Sequence, residues 1–352
     1  MAPNILRLFG FGFEGLEVPP DIRALLARGL GAVVLFKRNL ASLEQICGLS
    51  ADLHRSGAAP VLVGVDQEGG RVVRLPEPFF ALPAAAMLGR LDDPALTAEV
   101  ARTVGRELLA SGINWNLGPV LDIHTNPANP VIGDRAYGSD AALVARMALA
   151  ALRGFEEAGV LSTGKHFPGH GDTALDSHLG LPRSEQSAAR WRAVEFVPFA
   201  AAIHAGVPSI MVAHLQCPAL DANAPTSLSR PVIAEVLRNE LGFTGMVVSD
   251  DMEMGAIAAN FDIGEAAVRF LEAGGDLILI CRNSTFQHSA IATVEAAVRS
   301  GRIPESRVRE SEERIAEARR STKSIGQIEL ESMRKIVGAE KRSLLGRIHK
   351  TV

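Results

Sequence analysis

Aromatic residues are scarce in this chain: 5% of 352 residues, with one tyrosine and two tryptophans. A core with few large rings must be built from Ala, Val, Leu and Ile, and a hydrophobic fraction of 47% supplies them. Such a composition suits parallel strands buried on both faces by surrounding helices. Cysteine is scarce as well. Cys47, Cys217 and Cys281 are widely spaced and odd in number, which argues against a disulfide framework or a zinc ribbon and points to a reducing cytoplasm. No apolar stretch approaches the roughly 18 residues needed to cross a bilayer. Residues 1–20 hold one arginine and a glycine-broken apolar run rather than a secretory pattern. Neither sign of charge dominates. With a formal net charge of −4 and both signs mixed along the chain, nothing favours nucleic acid or an anionic membrane as partner.

What the chain does have is alternation. Short apolar runs at 5–11, 32–36, 61–66, 114–121, 160–166, 209–215, 245–250 and 276–280 read as strands. Helix-length amphipathic stretches near 21–29, 42–56, 97–111, 140–158, 188–205, 229–240, 263–273 and 286–299 separate them. Val100, Val104 and Leu108 recur every fourth position and paint one side of a helix. Asp262 and Glu265 have the spacing of a capping box, and Gly274-Gly275 supplies a stop. Eight successive β-then-α units predict an α/β fold of the (β/α)8 TIM-barrel type. An open doubly wound sheet would show the same alternation. However, no glycine-rich dinucleotide fingerprint follows the first strand.

Reactive residues gather where strand signals end. Asp66 closes the third, Asp122 and His124 follow the fourth, and Lys165-His166 close the fifth. His214 closes the sixth and Asp250-Asp251 the seventh. In a closed barrel these positions meet on the C-terminal rim, where polar groups are cheap to place. Any one aspartate after a strand is accounted for as a helix cap. Five strands ending this way predict a site.

Three stretches carry the chemistry. Lys165 to His178 reads K-H-F-P-G-H-G-D-T-A-L-D-S-H, with Asp176 two positions from His178, close enough to orient an imidazole and raise its basicity. Such a histidine both gives and takes a proton, which suits a reaction that needs an acid and then a base. A solvated polar loop, or a zinc site built from His166, His170, His178 and His214, stands beside that reading. Val247 to Met254 reads V-V-S-D-D-M-E-M and mounts Asp250 at a strand exit, placed to attack an anomeric carbon. Asp251 reads as a cap or a supporting partner. Val65 to Arg74, V-D-Q-E-G-G-R-V-V-R, offers Asp66 to grip two sugar hydroxyls, with Glu68 and Arg71 expected to pair with each other. Arg135, in V-I-G-D-R-A-Y, is a further donor from a long loop.

Together, from about Leu35 to the end of the eighth unit, these segments resemble glycoside hydrolase family 3, in particular its NagZ-type β-N-acetylglucosaminidases of bacterial cell-wall recycling. The run K-H-F-P-G-H-G followed by D-S-H is the most specific feature, reinforced by V-D-Q-E-G-G-R and S-D-D-M. The resemblance implies retaining hydrolysis of terminal β-linked N-acetylglucosamine, with Asp250 as nucleophile, His178 as acid/base and Asp176 orienting it. It also implies Asp66, Arg74, Arg135, Lys165 and His166 as substrate contacts. His214, at the end of the sixth strand signal, is a candidate contact by position. No metal and no cofactor are expected, the partner being a small carbohydrate or muropeptide and the state a monomer. A histidine in place of a second carboxylate repels an anionic acceptor less, so a phosphorylase using phosphate instead of water is the alternative. A metal-dependent amidohydrolase barrel is a further rival, against which the first strand signal ends Phe9-Gly10-Phe11-Gly12 without a His-x-His pair.

The catalytic barrel is expected to occupy residues 1–320. Residues 321–352, rich in Lys and Arg, are expected as a basic helical extension docked on it, or as a loose tail. Larger family members append a second α/β domain, so here barrel loops alone are expected to complete the site.

Overall fold

The computed structural model describes residues 3–174 and 180–351. Eight parallel strands close into a barrel in sequential order, with the first hydrogen-bonded to the last. They are β1 (Phe9–Phe11), β2 (Ala32–Leu35), β3 (Leu62–Val65), β4 (Trp115–Asn116), β5 (Leu161–Phe167), β6 (Ser209–Val212), β7 (Met246–Asp251) and β8 (Leu277–Ile280). Closure removes every sheet edge, and the expected TIM-type architecture is the one observed.

The strands differ in length from the apolar runs for local reasons. Residues Ile5–Leu8 form a 3-10 turn before β1, capped by Asn4, whose side chain accepts from the N–H of Leu6. In the fourth run, β4 stops after Asn116, since Pro119 offers no N–H to a ladder; the chain rejoins β5 through a single bridge between Val120 and Lys165. Inside the barrel the Trp115 indole N–H donates to Thr163 Oγ1 at 2.7 Å. Gly64 opposite makes room for that ring: a Cβ there would lie 2.7 Å from Trp115 Cε3.

Helices wrap the barrel after each strand. Ile263–Ala273 shows why the sequence folds as it does. Asp262 accepts from the N–H of Glu265 at 2.9 Å, Ala266, Ala267, Phe270 and Leu271 turn inward, and Gly274 ends the helix at φ 109°. Two stretches of helical periodicity wind more loosely, as π-helix, at Trp191–Glu195 and Pro231–Glu240. The basic C-terminal stretch lies along the barrel's flank as helices Leu330–Ile336 and Lys341–Thr351, with Met333 and Leu344 buried. Its cations meet acids on the outer face: Arg334 pairs with Glu44 at 2.7 Å and Lys341 with Glu77 at 2.8 Å. Beneath them, the buried Glu107 carboxylate accepts from the N–H groups of Gly338 (2.7 Å) and Phe80 (2.8 Å). Among the described residues no helix is long and apolar enough to cross a membrane.

Candidate active site

Strand ends β3, β5 and β7 and the loop after β4 converge on a cavity of about 510 Å3 at the C-terminal mouth. That size falls in the roughly 300–1,000 Å3 range of small-molecule sites. Asp66, Arg74, Arg135, Lys165, His166 and Asp250 all line it. Residues from opposite ends of the chain thus share one cavity, as a closed parallel barrel requires.

Its walls are a chain of ion pairs. The Lys165 ammonium lies 2.7 Å from Asp66 Oδ1 and 2.5 Å from Glu68 Oε1, with only 2% of its side chain exposed. Arg135 clamps the same glutamate in a fork, Nε to Oε2 at 2.7 Å and Nη2 to Oε1 at 2.9 Å. Arg74 Nη2 reaches Asp66 Oδ2 at 3.4 Å, while its buried Nε has no partner among the described residues. Burial opposes ionisation of Glu68, but Lys165 and Arg135 hold its carboxyl well below the usual carboxylate range. Burial likewise opposes the charge on Lys165, and Asp66 and Glu68 outweigh it, so its ammonium is held charged.

His166 is fixed at both ring nitrogens. Nδ1 lies 2.6 Å from Asp122 Oδ2, and Nε2 lies 3.2 Å from Arg135 Nη2. A guanidinium only donates, so Nε2 accepts and Nδ1 carries the hydrogen given to Asp122. Asp122 is fully buried and also accepts from the backbone N–H groups of His166 (3.2 Å) and His170 (2.7 Å). Burial works against its charge, but the imidazole and these donors hold its carboxyl below the ordinary value. His170, whose Nδ1 lies 2.8 Å from Thr173 Oγ1, is pushed down to about 4, chiefly by burial.

Asp250 closes the wall from β7. Burial alone would raise its pKa. The imidazoles of His166 and His214, the N–H of Asp251 (2.9 Å to Oδ1) and the Lys165 ammonium more than offset that, so the group is an ionised carboxylate. Beside it, Asp251 is pushed up to about 7 by burial and the Glu253 charge; its Oδ1 accepts from the N–H groups of Glu253 (3.1 Å) and Cys281 (3.2 Å). His214 sits one layer back, buried, with Nε2 3.0 Å from the Asp251 carbonyl and Nδ1 2.7 Å from Ser227 Oγ. It props the end of β7. The expected Asp176 and His178 lie outside the described residues.

One expected pairing is replaced. Glu68 does not pair with Arg71; it takes Arg135 and Lys165, while Arg71 pairs with Asp134 at 3.1 Å. The backbone turns sharply at Gly69 (φ 108°) and Gly70 (φ 55°), sending the two side chains apart. Glu68 and Asp122 are therefore site residues beyond those expected as contacts. Their signal in the sequence is a carboxylate at or just after the end of an apolar run. Among the described residues, no group of three or more His, Cys, Asp or Glu side chains is placed to hold a metal ion.

A cavity at the barrel mouth that sets ion-paired side chains and an aspartate among apolar ones is a site for polyhydroxylated substrates. The profile of the Glycosyl hydrolase family 3 N terminal domain matches residues 20–318, and the chain belongs to this family, as a glycoside hydrolase. Among its relatives is a beta-hexosaminidase of Alkalilimnicola ehrlichii, 39% identical over 77% of this chain and 80% of that protein. Another, from Thiobacillus denitrificans, is 37% identical over 80% of each. The structure of a family 3 beta-N-acetylglucosaminidase from Paenibacillus sp. strain FPU-7 superposes with a TM-score of 0.92 at 42% identity, covering 99% of this chain and 68% of that one. NagZ from Neisseria gonorrhoeae, solved with N-trifluoroacetyl-D-glucosamine, gives a TM-score of 0.79 at 29% identity, covering 98% and 97%.

Proposed function

We propose that this glycoside hydrolase is a retaining exo-β-N-acetylglucosaminidase in which Asp250 is the nucleophile. The observation that carries the reading is the Asp250 carboxylate at the end of β7, lining the same cavity as the linked ion pairs of Arg74, Asp66, Lys165, Glu68 and Arg135. Asp250 attacks the anomeric carbon as His178, oriented by Asp176, protonates the departing oxygen. The carbon–oxygen bond to the aglycone breaks as the bond to Asp250 Oδ forms. His178 then takes a proton from water, which displaces Asp250 and restores the β configuration.

The remaining residues bind and orient. Asp66 presents two acceptor oxygens to vicinal hydroxyls, Arg74, Arg135 and Lys165 supply hydrogen bonds around the ring, and His166 Nε2, which Arg135 approaches only to 3.2 Å, turns to a hydroxyl. His214 acts through the Asp251 carbonyl to fix β7, a positioning task rather than a sugar contact. The acetamido preference rests on the hexosaminidase relatives and on the gonococcal NagZ holding an N-acylated glucosamine analogue. Muropeptides from cell-wall recycling are the proposed natural substrates, and a reducing cytoplasm is the proposed location, in keeping with the three free cysteines. The test is release of p-nitrophenol from its N-acetyl-β-glucosaminide with the β-anomer of the sugar appearing first by NMR. An inverted first product, or hydrolysis confined to glycosides lacking the acetamido group, would overturn the reading.

A further inference from the structure

Glu68 does not need to touch a sugar to matter. Its side chain is 5% exposed and lies between two cations, Lys165 at 2.5 Å and the Arg135 fork at 2.7 and 2.9 Å. Along one wall the charges alternate in a linked series, Arg74–Asp66–Lys165–Glu68–Arg135, with Asp122 behind it on His166; Arg38, Arg282 and Glu253 also line the cavity. Within that series, with Asp122 included, three negatives and three positives cancel, and Asp250 stands outside it.

We propose that Glu68 is a positioning residue, the counter-charge that keeps Lys165 and Arg135 directed at the sugar and their field off Asp250. This rests on the reading of Asp250 as nucleophile. The physical reason is the sign of the charge that develops at the anomeric carbon. A transition state with oxocarbenium character needs net negative potential beneath the ring. Without Glu68 the series carries a surplus positive charge in a buried site, where screening is weak. The Lys165 ammonium then keeps Asp66 alone of its two carboxylates, and its field already reaches Asp250.

Asp250 is faced by Lys165, His166 and His170 from β5 and the loop after it, by His214 after β6, by Asp251 beside it and by Cys281 after β8. Losing Glu68 strengthens the cationic share of that set. The nucleophile becomes a weaker base, and the pH below which it is protonated falls.

The experiment compares kcat, KM and the pH profile of kcat/KM for wild type, Glu68→Gln and Glu68→Asp on p-nitrophenyl N-acetyl-β-glucosaminide. Glu68→Gln is expected to lose about a hundredfold in kcat/KM, mostly in kcat, as for breaking a buried ion pair, with its acid limb moved to lower pH. Glu68→Asp keeps the charge and is expected to recover most of kcat with the acid limb at the wild-type position. An unmoved limb in Glu68→Gln, or a displaced one in Glu68→Asp, overturns the proposal. Should Glu68→Gln not fold, the limb of Glu68→Asp alone decides. Failure of wild type to hydrolyse the substrate would sink the functional reading instead, so the two are separable.

Discussion

Asp250 and Asp251 are neighbours on β7 whose carboxyl groups ionise in opposite senses. The backbone N–H of Asp251 donates to Asp250 Oδ1 at 2.9 Å, and the cationic face of β5 holds Asp250 charged. Asp251, turned the other way toward Glu253 and Cys281, is pushed up to about 7 by burial and then by the Glu253 charge. One strand end therefore offers a base and an acid side by side.

That difference has a stability signature. A carboxyl raised in the folded state keeps its proton while the unfolded chain, titrating near 4, has released it. Stability therefore falls as pH rises from about 4 to about 7 and levels off above. Asp251→Asn removes that slope and keeps an acceptor for the two N–H groups. Urea unfolding is expected to show the variant's stability relative to wild type greater at pH 8 than at pH 5 by about 2–3 kcal/mol. Parallel curves for the two proteins would contradict the burial of this proton.

Lys165 spans two carboxylates, and no neutral side chain replaces it. In Lys165→Met, Asp66 and Glu68 repel each other across a buried gap, and the sugar loses a donor. A fall in kcat/KM of about 10²–10³-fold is expected. Steady-state kinetics check it, and a change within threefold would remove Lys165 from the binding machinery.

The C-terminal helices test stability apart from chemistry. Glu107→Ala leaves the buried N–H of Phe80 and the half-buried N–H of Gly338 without their acceptor. A loss of about 2–4 kcal/mol in unfolding free energy is expected, with kcat/KM unchanged because Glu107 lies on the barrel's flank. Equal stability would mean that the C-terminal stretch is not held through this carboxylate.

The barrel interior sets a further check. Gly64→Ala puts a methyl 2.7 Å from the Trp115 ring, and overpacking of this kind costs about 1–3 kcal/mol. A shift in thermal midpoint measures it.

The rim was readable in the sequence because a polar residue closing an apolar run in a parallel sheet has one place to go. Asp66, Lys165, His166 and Asp250 were found in that way, and the cavity unites them. Pairings were harder. Glu68 and Arg71 look like partners three residues apart, but spacing predicts contact only in regular structure, and left-handed Gly69 and Gly70 break it. Asp122 announced itself only as a strand-end aspartate, since its donors arrive from β5 and the following turn. His214 sits at a strand end like the others, yet Ser227, in the loop that follows, and the Asp251 carbonyl of the next strand claim both its nitrogens. The π-helical turns at 191–195 and 231–240 share the apolar periodicity of α-helix, so pattern alone could not distinguish them.

The covalent intermediate is the most direct test. On the proposed mechanism His178→Ala slows the second displacement, so this variant, mixed with p-nitrophenyl N-acetyl-β-glucosaminide, quenched and digested, should hold its sugar. The expected result is one N-acetylhexosamine mass on the peptide containing Asp250, located on that residue by fragmentation and absent in Asp250→Ala. A sugar attached to Asp66 or Asp251, or turnover that yields the α-anomer with no adduct, would contradict the account.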